Sequence, residues 1–211
     1  AGGLAIAWSL WPRDYQPNLT AAPDEHIFNA FLKIGDDGRI SAIVPQCEMG
    51  QGVTTLLPQI MADELGADWR TVAVETAPIS PLYTNTLLAD EDSALFMPRA
   101  GVPDFVADVR GWARREWAVR HAVMLTANSS SVRMFEEPCR AAAAQARALL
   151  MMAAAARWDA DWEDCDTQDG FVILGKKKLR FGEVAAAAAL LEPPAEPVYR
   201  ASSGDPLYGK E

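Results

Sequence analysis

The sequence is poor in the residues that hold small disulfide or zinc modules together. Its 211 residues include three cysteines and two histidines. Cys47, Cys139 and Cys165 lie far apart, an odd number cannot pair completely, and neither a CxxC nor an HxxxH spacing occurs. These absences exclude a disulfide scaffold and a zinc module.

Basic residues are also scarce. The chain has 19 Lys and Arg against 29 Asp and Glu, a formal net charge of −10. Phosphate backbones are bound through patches of Lys and Arg, so this balance argues against nucleic acid or an anionic membrane as a partner. With 50% apolar and 23% charged residues, the composition is that of a globular protein with one large domain or two small ones.

Apolar runs long enough to cross a membrane are missing too. The first eleven residues, AGGLAIAWSLW, are uncharged, but a bilayer-spanning helix needs about twenty. A run of this length suits the apolar part of a secretory signal, and Ala5-Ile6-Ala7 has the small-x-small form of a cleavage site. We therefore predict a truncated export signal and linker in residues 1–26 and a periplasmic location. The alternatives are an apolar arm packed on the body of the domain, and a cytoplasmic location.

The first half of the remaining chain shows strand and helix patterns in alternation. Apolar residues alternate on both sides of the turn Asp36-Asp37-Gly38, which predicts a β-hairpin over residues 28–45. An i, i+3, i+4 pattern predicts a helix from Val53 to Leu65, with Gly66 as its C-cap, followed by a short strand over 71–75.

The second half adds more helix. An irregular and partly helical insertion runs to residue 120, and an alanine-rich pattern predicts a long helix that ends near Trp158. A second hairpin over 171–181 and a helix over 183–191 follow. The predicted fold is a two-layer α+β domain over residues 27–192, with the order ββαβ, helical insertion, α, ββα.

Two segments that each precede a predicted helix are the best candidates for binding a ligand. In the first, the GQG loop (residues 46–52), Gly50 and Gly52 let the backbone approach a ligand, and the following helix presents free amides. One alternative is a glycine turn that only reverses the chain. Another is a Rossmann fingerprint for a nicotinamide dinucleotide, with Glu75 as the ribose-binding acid, although Thr55 replaces the third glycine.

The second segment, the serine loop (residues 126–131), precedes the long helix. Ser129, Ser130 and Ser131, together with backbone amides and the nearby Arg133, would form a cradle for a phosphate or pyrophosphate. The alternative is plain N-capping of the helix, for which one serine suffices.

Five segments of the sequence together resemble one protein family. They are NAFLKI, the DDG turn, VPQCEMGQGV, ADELGADW and TANSSSVR, the last leading into the alanine-rich helix. This combination is similar to the molybdopterin-binding large subunit of the xanthine dehydrogenase/aldehyde oxidase family, and within it to the isoquinoline 1-oxidoreductase beta-subunit branch. The resemblance covers about residues 27–192 and corresponds to the amino-terminal portion of such subunits. Members of the branch often carry a twin-arginine export signal, whose apolar part the first residues resemble.

The resemblance implies that both loops bind a cofactor, molybdopterin cytosine dinucleotide. The residues that it assigns to the pterin are Met49, Gly50, Gln51 and Gly52. Those that it assigns to the phosphates are Thr126, Ser129, Ser130 and Ser131. Gln51 would donate a hydrogen bond from its amide to the cofactor, and Cys47 has no ligand role.

The resemblance also implies a reaction. The family hydroxylates an aldehyde or an N-heterocyclic carbon with oxygen from water, and a glutamate in a late GxGE-type motif acts as general base. No such motif occurs here, and Gly209-Lys210-Glu211 does not fit it. We therefore expect an amino-terminal fragment of a molybdenum hydroxylase that contributes cofactor contacts and is inactive alone, with residues 193–211 as the linker to a missing remainder.

The expected partners follow from the same resemblance. They are the remainder of the large subunit, a small [2Fe-2S] subunit, and an aldehyde or N-heterocyclic substrate. The alternative from another class is a non-catalytic assembly domain that binds no cofactor.

Overall fold

The computed structural model describes residues 15–91 and 107–200. Most of the predicted export signal and linker, residues 1–26, therefore lies outside the described residues, as does the end of the predicted linker over 193–211. The domain boundaries stay predictions.

The first sheet has four strands in the order β1-β2-β3-β4. β2 and β3 are antiparallel, with Leu32 opposite Ala42, and they form the hairpin predicted around the DDG turn. β1 pairs antiparallel with β2, whereas β4 pairs parallel with β3. The strands are β1 (Glu25–Ile27), β2 (Leu32–Gly35), β3 (Ile40–Val44) and β4 (Val72–Thr76).

Helix α1 (Val53–Leu65) connects the two parallel strands and has the bounds that the sequence predicted. Its C-cap is Gly66, whose φ of 71° lies in the left-handed region that glycine adopts without steric cost. A Cβ at this position would also lie 2.6 Å from the carbonyl oxygen of Thr167, so the close approach of the second sheet requires glycine as well.

The insertion after β4 contains short helices, and the long predicted helix follows it. The α-helices are α2 (Thr86–Glu91), α3 (Ala107–Arg120) and α4 (Ser130–Trp158). Single 3-10 turns lie at Trp69–Thr71, Pro81–Tyr83 and Trp162–Asp164. α4 packs along α1 through a buried face rich in alanine, which lets the two backbones approach closely.

The second sheet has three antiparallel strands in the order β5-β6-β7 and leads into the last helix. The elements are β5 (Asp166–Gln168), β6 (Phe171–Leu174), β7 (Lys177–Arg180) and α5 (Phe181–Ala188). β6 and β7 are the predicted second hairpin.

One apolar core joins both sheets to the helices. It includes Leu32 from β2, Leu57 from α1, Leu150 from α4, Val172 from β6 and Phe181 from α5, none more than 1% exposed. Each such side chain contributes about 1.5–3 kcal/mol through its burial. Both sheets and the long helix therefore fold as one unit.

A buried ionic cluster ties α1 and α4 to the segment after α5. Arg147 on α4, 6% exposed, donates to the carbonyl oxygen of Val198 at 2.9 Å and lies 3.9 Å from Glu64 and 3.7 Å from Asp166. Burial lowers the pKa of Arg147. Glu64 in turn accepts a hydrogen bond from the backbone N–H of Arg200 at 2.5 Å. The segment that the sequence predicts as a linker thus contacts the helix pair through residues 198 and 200.

The structure is mixed, with two small sheets and packed helices, and is compatible with the predicted α+β class. The observed order adds two strands that the sequence analysis did not predict, β1 and β5. Both have only three residues, too few for a period-2 pattern to stand out. The last helix begins at Phe181, two positions before its predicted start.

We predict that Gly182→Ala destabilises the domain. Gly182 lies in the first turn of α5 against the β2–β3 turn, and a Cβ there would lie 2.1 Å from the carbonyl oxygen of Asp36 and 2.7 Å from the backbone nitrogen of Gly38. Because both neighbours are backbone atoms, the helix must shift. We expect the free energy of unfolding, measured by urea denaturation of the 211-residue chain, to fall by about 1–3 kcal/mol.

Gly111→Ala in α3 is the matched control. The nearest heavy atom to a Cβ at that position is Nη2 of Arg114, at 4.0 Å, so alanine is accommodated. Its higher helix propensity should raise the free energy of unfolding by up to about 1 kcal/mol. Equal stability of the Gly182→Ala variant and the native chain would contradict the packing of α5 on the hairpin.

Candidate functional site

The GQG loop and the serine loop meet at one cavity. The GQG loop leads from β3 to α1, the serine loop precedes α4, and the packing of the two helices brings their amino ends together. The cavity has a volume of about 250 Å³. The residues that line it are Met49, Gln51, Thr126, Ala127, Asn128, Ser129 and Ser131.

Two hydrogen bonds link the loops directly. The backbone N–H of Cys47 donates to Oγ1 of Thr126 at 2.9 Å. The hydroxyl of Ser131 donates to Oε1 of Gln46 at 3.0 Å, and both side chains are buried. The Ser131–Gln46 hydrogen bond is buried and costs more to break than the exposed Cys47–Thr126 bond, so it contributes most to fixing one loop relative to the other.

Within the GQG loop, Glu48 folds back over the start of α1. Its Oε1 accepts from the backbone N–H groups of Gly50 at 2.8 Å and Gly52 at 3.0 Å. Its Oε2 accepts from the backbone N–H of Thr54 at 3.1 Å and from the Thr54 hydroxyl at 2.9 Å. These hydrogen bonds, that from the Gly52 amide above all, lower the pKa of Glu48 to about 2, so the carboxyl group is ionised at neutral pH.

Gln51 is held by the backbone of its own loop. Its Nε2 donates to the carbonyl oxygen of Cys47 at 2.7 Å, and its Oε1 accepts from the N–H of Met49 at 2.6 Å. A carboxamide nitrogen carries two hydrogens, so the second N–H of Gln51 is left for a ligand in the cavity. The Met49 side chain is 68% exposed and offers an apolar surface beside it.

Both glycines of the loop are needed for its conformation. Gly50 has a φ of 95° and Gly52, the N-cap of α1, a φ of 80°, values that residues with a Cβ rarely adopt. Neither glycine lines the cavity; instead their amides bind Glu48. The glycine pair therefore does more than reverse the chain, because it turns backbone donors toward a carboxylate.

In the serine loop, two of the three hydroxyl groups face the protein. The Ser130 hydroxyl is buried, donates to the carbonyl oxygen of Ala127 at 2.6 Å and accepts from Nδ2 of Asn85 at 2.6 Å. Ser131 is occupied by Gln46, as described above. Ser129 is exposed, and as the N-cap residue of α4 it makes no hydrogen bond from its side chain to the first turn. Plain N-capping by a serine side chain, the alternative to a cradle, is therefore not observed.

Arg133 does not serve the cavity in this arrangement. Its guanidinium pairs with the carboxylate of Glu91 on α2 at 2.6 Å, and this contact lowers the pKa of Glu91. Beside the second N–H of Gln51, the donors left near the cavity are the Ser129 hydroxyl, the Thr126 hydroxyl and the amides at the start of α4, except that of Ser130, which donates to the carbonyl oxygen of Ala127 at 3.0 Å.

The alternative of a nicotinamide dinucleotide site is not supported at Glu75, the residue expected to bind the ribose. β3, α1 and β4 do form a βαβ unit, but Oε1 of Glu75 lies 2.8 Å from Nζ of the buried Lys33. The carboxylate that would bind a ribose is thus held by a cation inside the sheet. The eight-residue connection over 45–52 is also longer than the tight turn of a dinucleotide fingerprint.

The cavity suits a part of a cofactor rather than a metal ion or a whole dinucleotide. No group of three or more His, Cys, Asp or Glu side chains able to hold a metal occurs among the described residues. The volume of about 250 Å³ lies below the roughly 300–1,000 Å³ of pockets that enclose a complete small ligand. Its donor set of hydroxyl, amide and backbone N–H groups fits a polar heterocycle and a phosphate, so the residues present fit one side of a pterin dinucleotide.

Sequence reasoning missed several residues that shape this site. Glu48, Gln46 and Asn85 bind loop backbone or loop side chains, but none of the three is among the predicted site residues. For Glu48 a signal existed, since an acidic residue shortly before a helix start is favoured by the helix dipole. For Gln46 and Asn85 the partners are distant in sequence, and no local pattern reveals them.

No protein-family model matches the chain. Isoquinoline 1-oxidoreductase subunit beta from Brevundimonas diminuta is 28% identical over 167 residues, which cover 78% of this chain and 17% of that protein. A membrane-bound aldehyde dehydrogenase (pyrroloquinoline-quinone) from Gluconacetobacter polyoxogenes is 25% identical over 156 residues, 74% of this chain and 15% of that protein. The chain thus spans less than a fifth of the length of these curated relatives.

Among solved structures, quinoline 2-oxidoreductase from Pseudomonas putida 86 superposes with a TM-score of 0.47 and 20% identity, over 78% of this chain and 17% of that one. The resemblance to the molybdenum hydroxylases that the sequence motifs predicted is confirmed: this chain is similar to a part of the beta subunit of isoquinoline 1-oxidoreductase.

Proposed function

We propose that this chain forms one side of the cofactor cradle of a molybdenum hydroxylase that oxidises an aldehyde or an N-heterocycle with oxygen from water. The observation that carries the proposal is the meeting of the GQG loop and the serine loop at one cavity, linked by the hydrogen bonds Cys47–Thr126 and Ser131–Gln46. The curated relatives are oxidoreductases, which supports the same class for the protein that contains this chain.

The proposed cofactor is molybdopterin cytosine dinucleotide, and each of the two loops would bind a different part of it. Met49 and Gln51 would lie against the pterin, with the second N–H of Gln51 as the donor. Gly50 and Gly52, which do not line the cavity, would hold the loop in the conformation that presents these two side chains. Thr126, Ser129 and Ser131 would hold the phosphates, and Ser130 would shape the loop behind them. The hydroxyls of Ser130 and Ser131 bond to the protein, and the N–H of Ser130 donates to the carbonyl oxygen of Ala127 at 3.0 Å, so Ser131 would contribute its backbone amide and Ser129 a hydroxyl. When bound, the cofactor supplies the redox chemistry of the reaction.

The described residues that line the cavity would bind and orient the cofactor, and none of them would serve as a general base. None of the described residues that line the cavity has a side chain that titrates near neutral pH. A general base must lie within hydrogen-bond reach of the proton that it removes, so the base would come from another part of the longer subunit. This observation supports a fragment that is inactive alone.

The proposed partners are the remainder of the large subunit, a small [2Fe-2S] subunit and the substrate. We propose a periplasmic location, with a cytoplasmic one as the alternative. Among the described residues, no helix has the length and hydropathy needed to cross a membrane.

A cofactor-free assembly domain is the second candidate. One observation favours it: the oxygen and one N–H of the Gln51 amide, and the hydroxyls of Ser130 and Ser131, are engaged within the protein. The experiments below separate the two candidates.

The first prediction concerns the 211-residue chain alone. We expect it to fold but to carry no stoichiometric molybdenum and to oxidise neither aldehydes nor isoquinoline, because a cradle that covers one side of a ligand supplies too few of its contacts. Metal analysis and an activity assay of the purified chain test this. Stoichiometric molybdenum in the purified chain would refute the proposal that it forms only one side of the cofactor site.

In the longer subunit we expect molybdenum and cytosine nucleotide. Pyrroloquinoline quinone in their place would refute the proposed cofactor.

The second prediction concerns Gln51→Ala in the longer subunit. Loss of a donor to a cofactor costs about 0.5–1.5 kcal/mol, and more if the partner is charged, so turnover should fall by about tenfold. Gln145→Ala, a half-buried glutamine on α4, is the control and should keep native turnover. If Gln51→Ala retained native turnover and cofactor content, the role of the GQG loop would be wrong.

The third prediction concerns the different roles of Ser131 and Ser129. Ser131→Ala leaves Oε1 of the buried Gln46 without its donor and should cost about 1–3 kcal/mol in the unfolding of the 211-residue chain. Ser129→Ala should leave that free energy unchanged, because its side chain makes no cap, yet should lower the cytosine nucleotide bound per folded longer subunit. A Ser129→Ala variant that melts earlier with full nucleotide would favour the N-cap and refute the cradle.

A further inference from the structure

The amino end of α1 is occupied by a charge from its own chain. Its N-cap, Gly52, has no side chain, and no acidic residue stands in the first turn. Glu48 supplies the missing anion from four positions before the N-cap. It accepts four hydrogen bonds, from three backbone N–H groups and one hydroxyl, at 2.8 to 3.1 Å.

That donor set is one that proteins use for phosphate. Backbone N–H groups converging at a helix start, with glycines in left-handed conformations and a hydroxyl beside them, form a concave site for anions. In this chain Glu48 already fills it. A phosphate that approached these amides would be repelled by the ionised carboxylate of Glu48, because two negative charges cannot share one set of donors.

The amino end of α4 is built differently. Its N-cap, Ser129, makes no side-chain hydrogen bond to the first turn, and no acidic residue stands in that turn. Arg133, in the second turn of this helix, is paired with Glu91. Among the described residues, the first of the two helix starts that border the cavity thus carries a bound carboxylate, and the second does not.

We propose that Glu48 is the positioning and charge-selecting residue of the GQG loop. By binding Gly50, Gly52 and Thr54, it holds the loop in the conformation in which Met49 and Gln51 line the cavity. By filling the anion site at α1, it leaves the start of α4 as the place for phosphates. The second statement rests on the function proposed above, whereas the first concerns this chain alone.

The test uses the 211-residue chain and inorganic phosphate, followed by the backbone amide NMR signals of Gly50, Gly52 and Thr54. In the native chain these signals should not respond to phosphate. In Glu48→Ala, phosphate should occupy the vacated donors and shift all three signals. The dissociation constant for phosphate should be at least tenfold lower in this variant than in the native chain. Acetate should return the signals toward their native positions, because it restores a carboxylate at the same donors.

Two further variants keep the result interpretable. Glu48→Gln retains one acceptor oxygen and no charge, so it should keep part of the loop structure and bind phosphate less well than Glu48→Ala. Glu183→Gln removes a carboxylate that accepts from the N–H of Arg180 at the start of α5, and it should leave the three loop signals unchanged. Far-UV circular dichroism confirms that each variant is folded.

The outcomes separate the two statements. The role of Glu48 would be overturned if phosphate shifted the amide signals of Gly50, Gly52 and Thr54 in the native chain. It would also be overturned if phosphate failed to shift them in a folded Glu48→Ala variant. In the longer subunit, Glu48→Ala should lower bound cytosine nucleotide by at least threefold. If that subunit carried no cytosine nucleotide even in its native form, the function proposed above would fail, whereas the phosphate result on the 211-residue chain would still decide the role of Glu48.

Discussion

The close packing of α1 against α4 is the constraint on which the rest of the structure depends. α4 presents a run of buried alanines, and small side chains allow two helices to approach to about 8–10 Å between their axes. Each helix begins where a loop ends, so the separation of the helices sets the separation of the loops. The cavity is thus a consequence of helix packing, and the hydrogen bonds Cys47–Thr126 and Ser131–Gln46 complete it.

The buried cluster around Arg147 serves the same packing from the far end of α1. Glu64, near the end of that helix, lies beside Arg147 and also accepts from Nε of Arg140 at 3.0 Å. Breaking such a buried pair by removing one partner typically costs about 3–5 kcal/mol, because the remaining charge stays buried. Polar contacts therefore fix the helix pair at both ends, with apolar contacts between them.

Much of the fold followed from the sequence, and less of the site did. The bounds of α1, its C-cap at Gly66, the long helix to Trp158 and both hairpins could be predicted, because each has a local period or a turn residue that marks it. Strands β1 and β5 have three residues each, and they are defined by their hydrogen bonds to the neighbouring strands β2 and β6. Their prediction requires tertiary structure.

For the site, residue types indicated which loops matter but not where their side chains point. The serines predicted as a cradle turn two hydroxyls inward, since Asn85 and Gln46 offer buried partners from distant parts of the chain. The arginine predicted nearby is bound to Glu91, whose position depends on the packing of α2. Contacts between residues this far apart are set by the fold, and a motif cannot specify them.

The burial of two of the three cysteines bears on the surroundings in which the domain can work. Cys139 and Cys165 lie within the core, and burial raises the pKa of each thiol, which keeps both in the unreactive protonated form. All three cysteines are free, so no disulfide contributes to stability. The fold therefore does not depend on disulfide formation, and Cys47 is the one exposed thiol of the three.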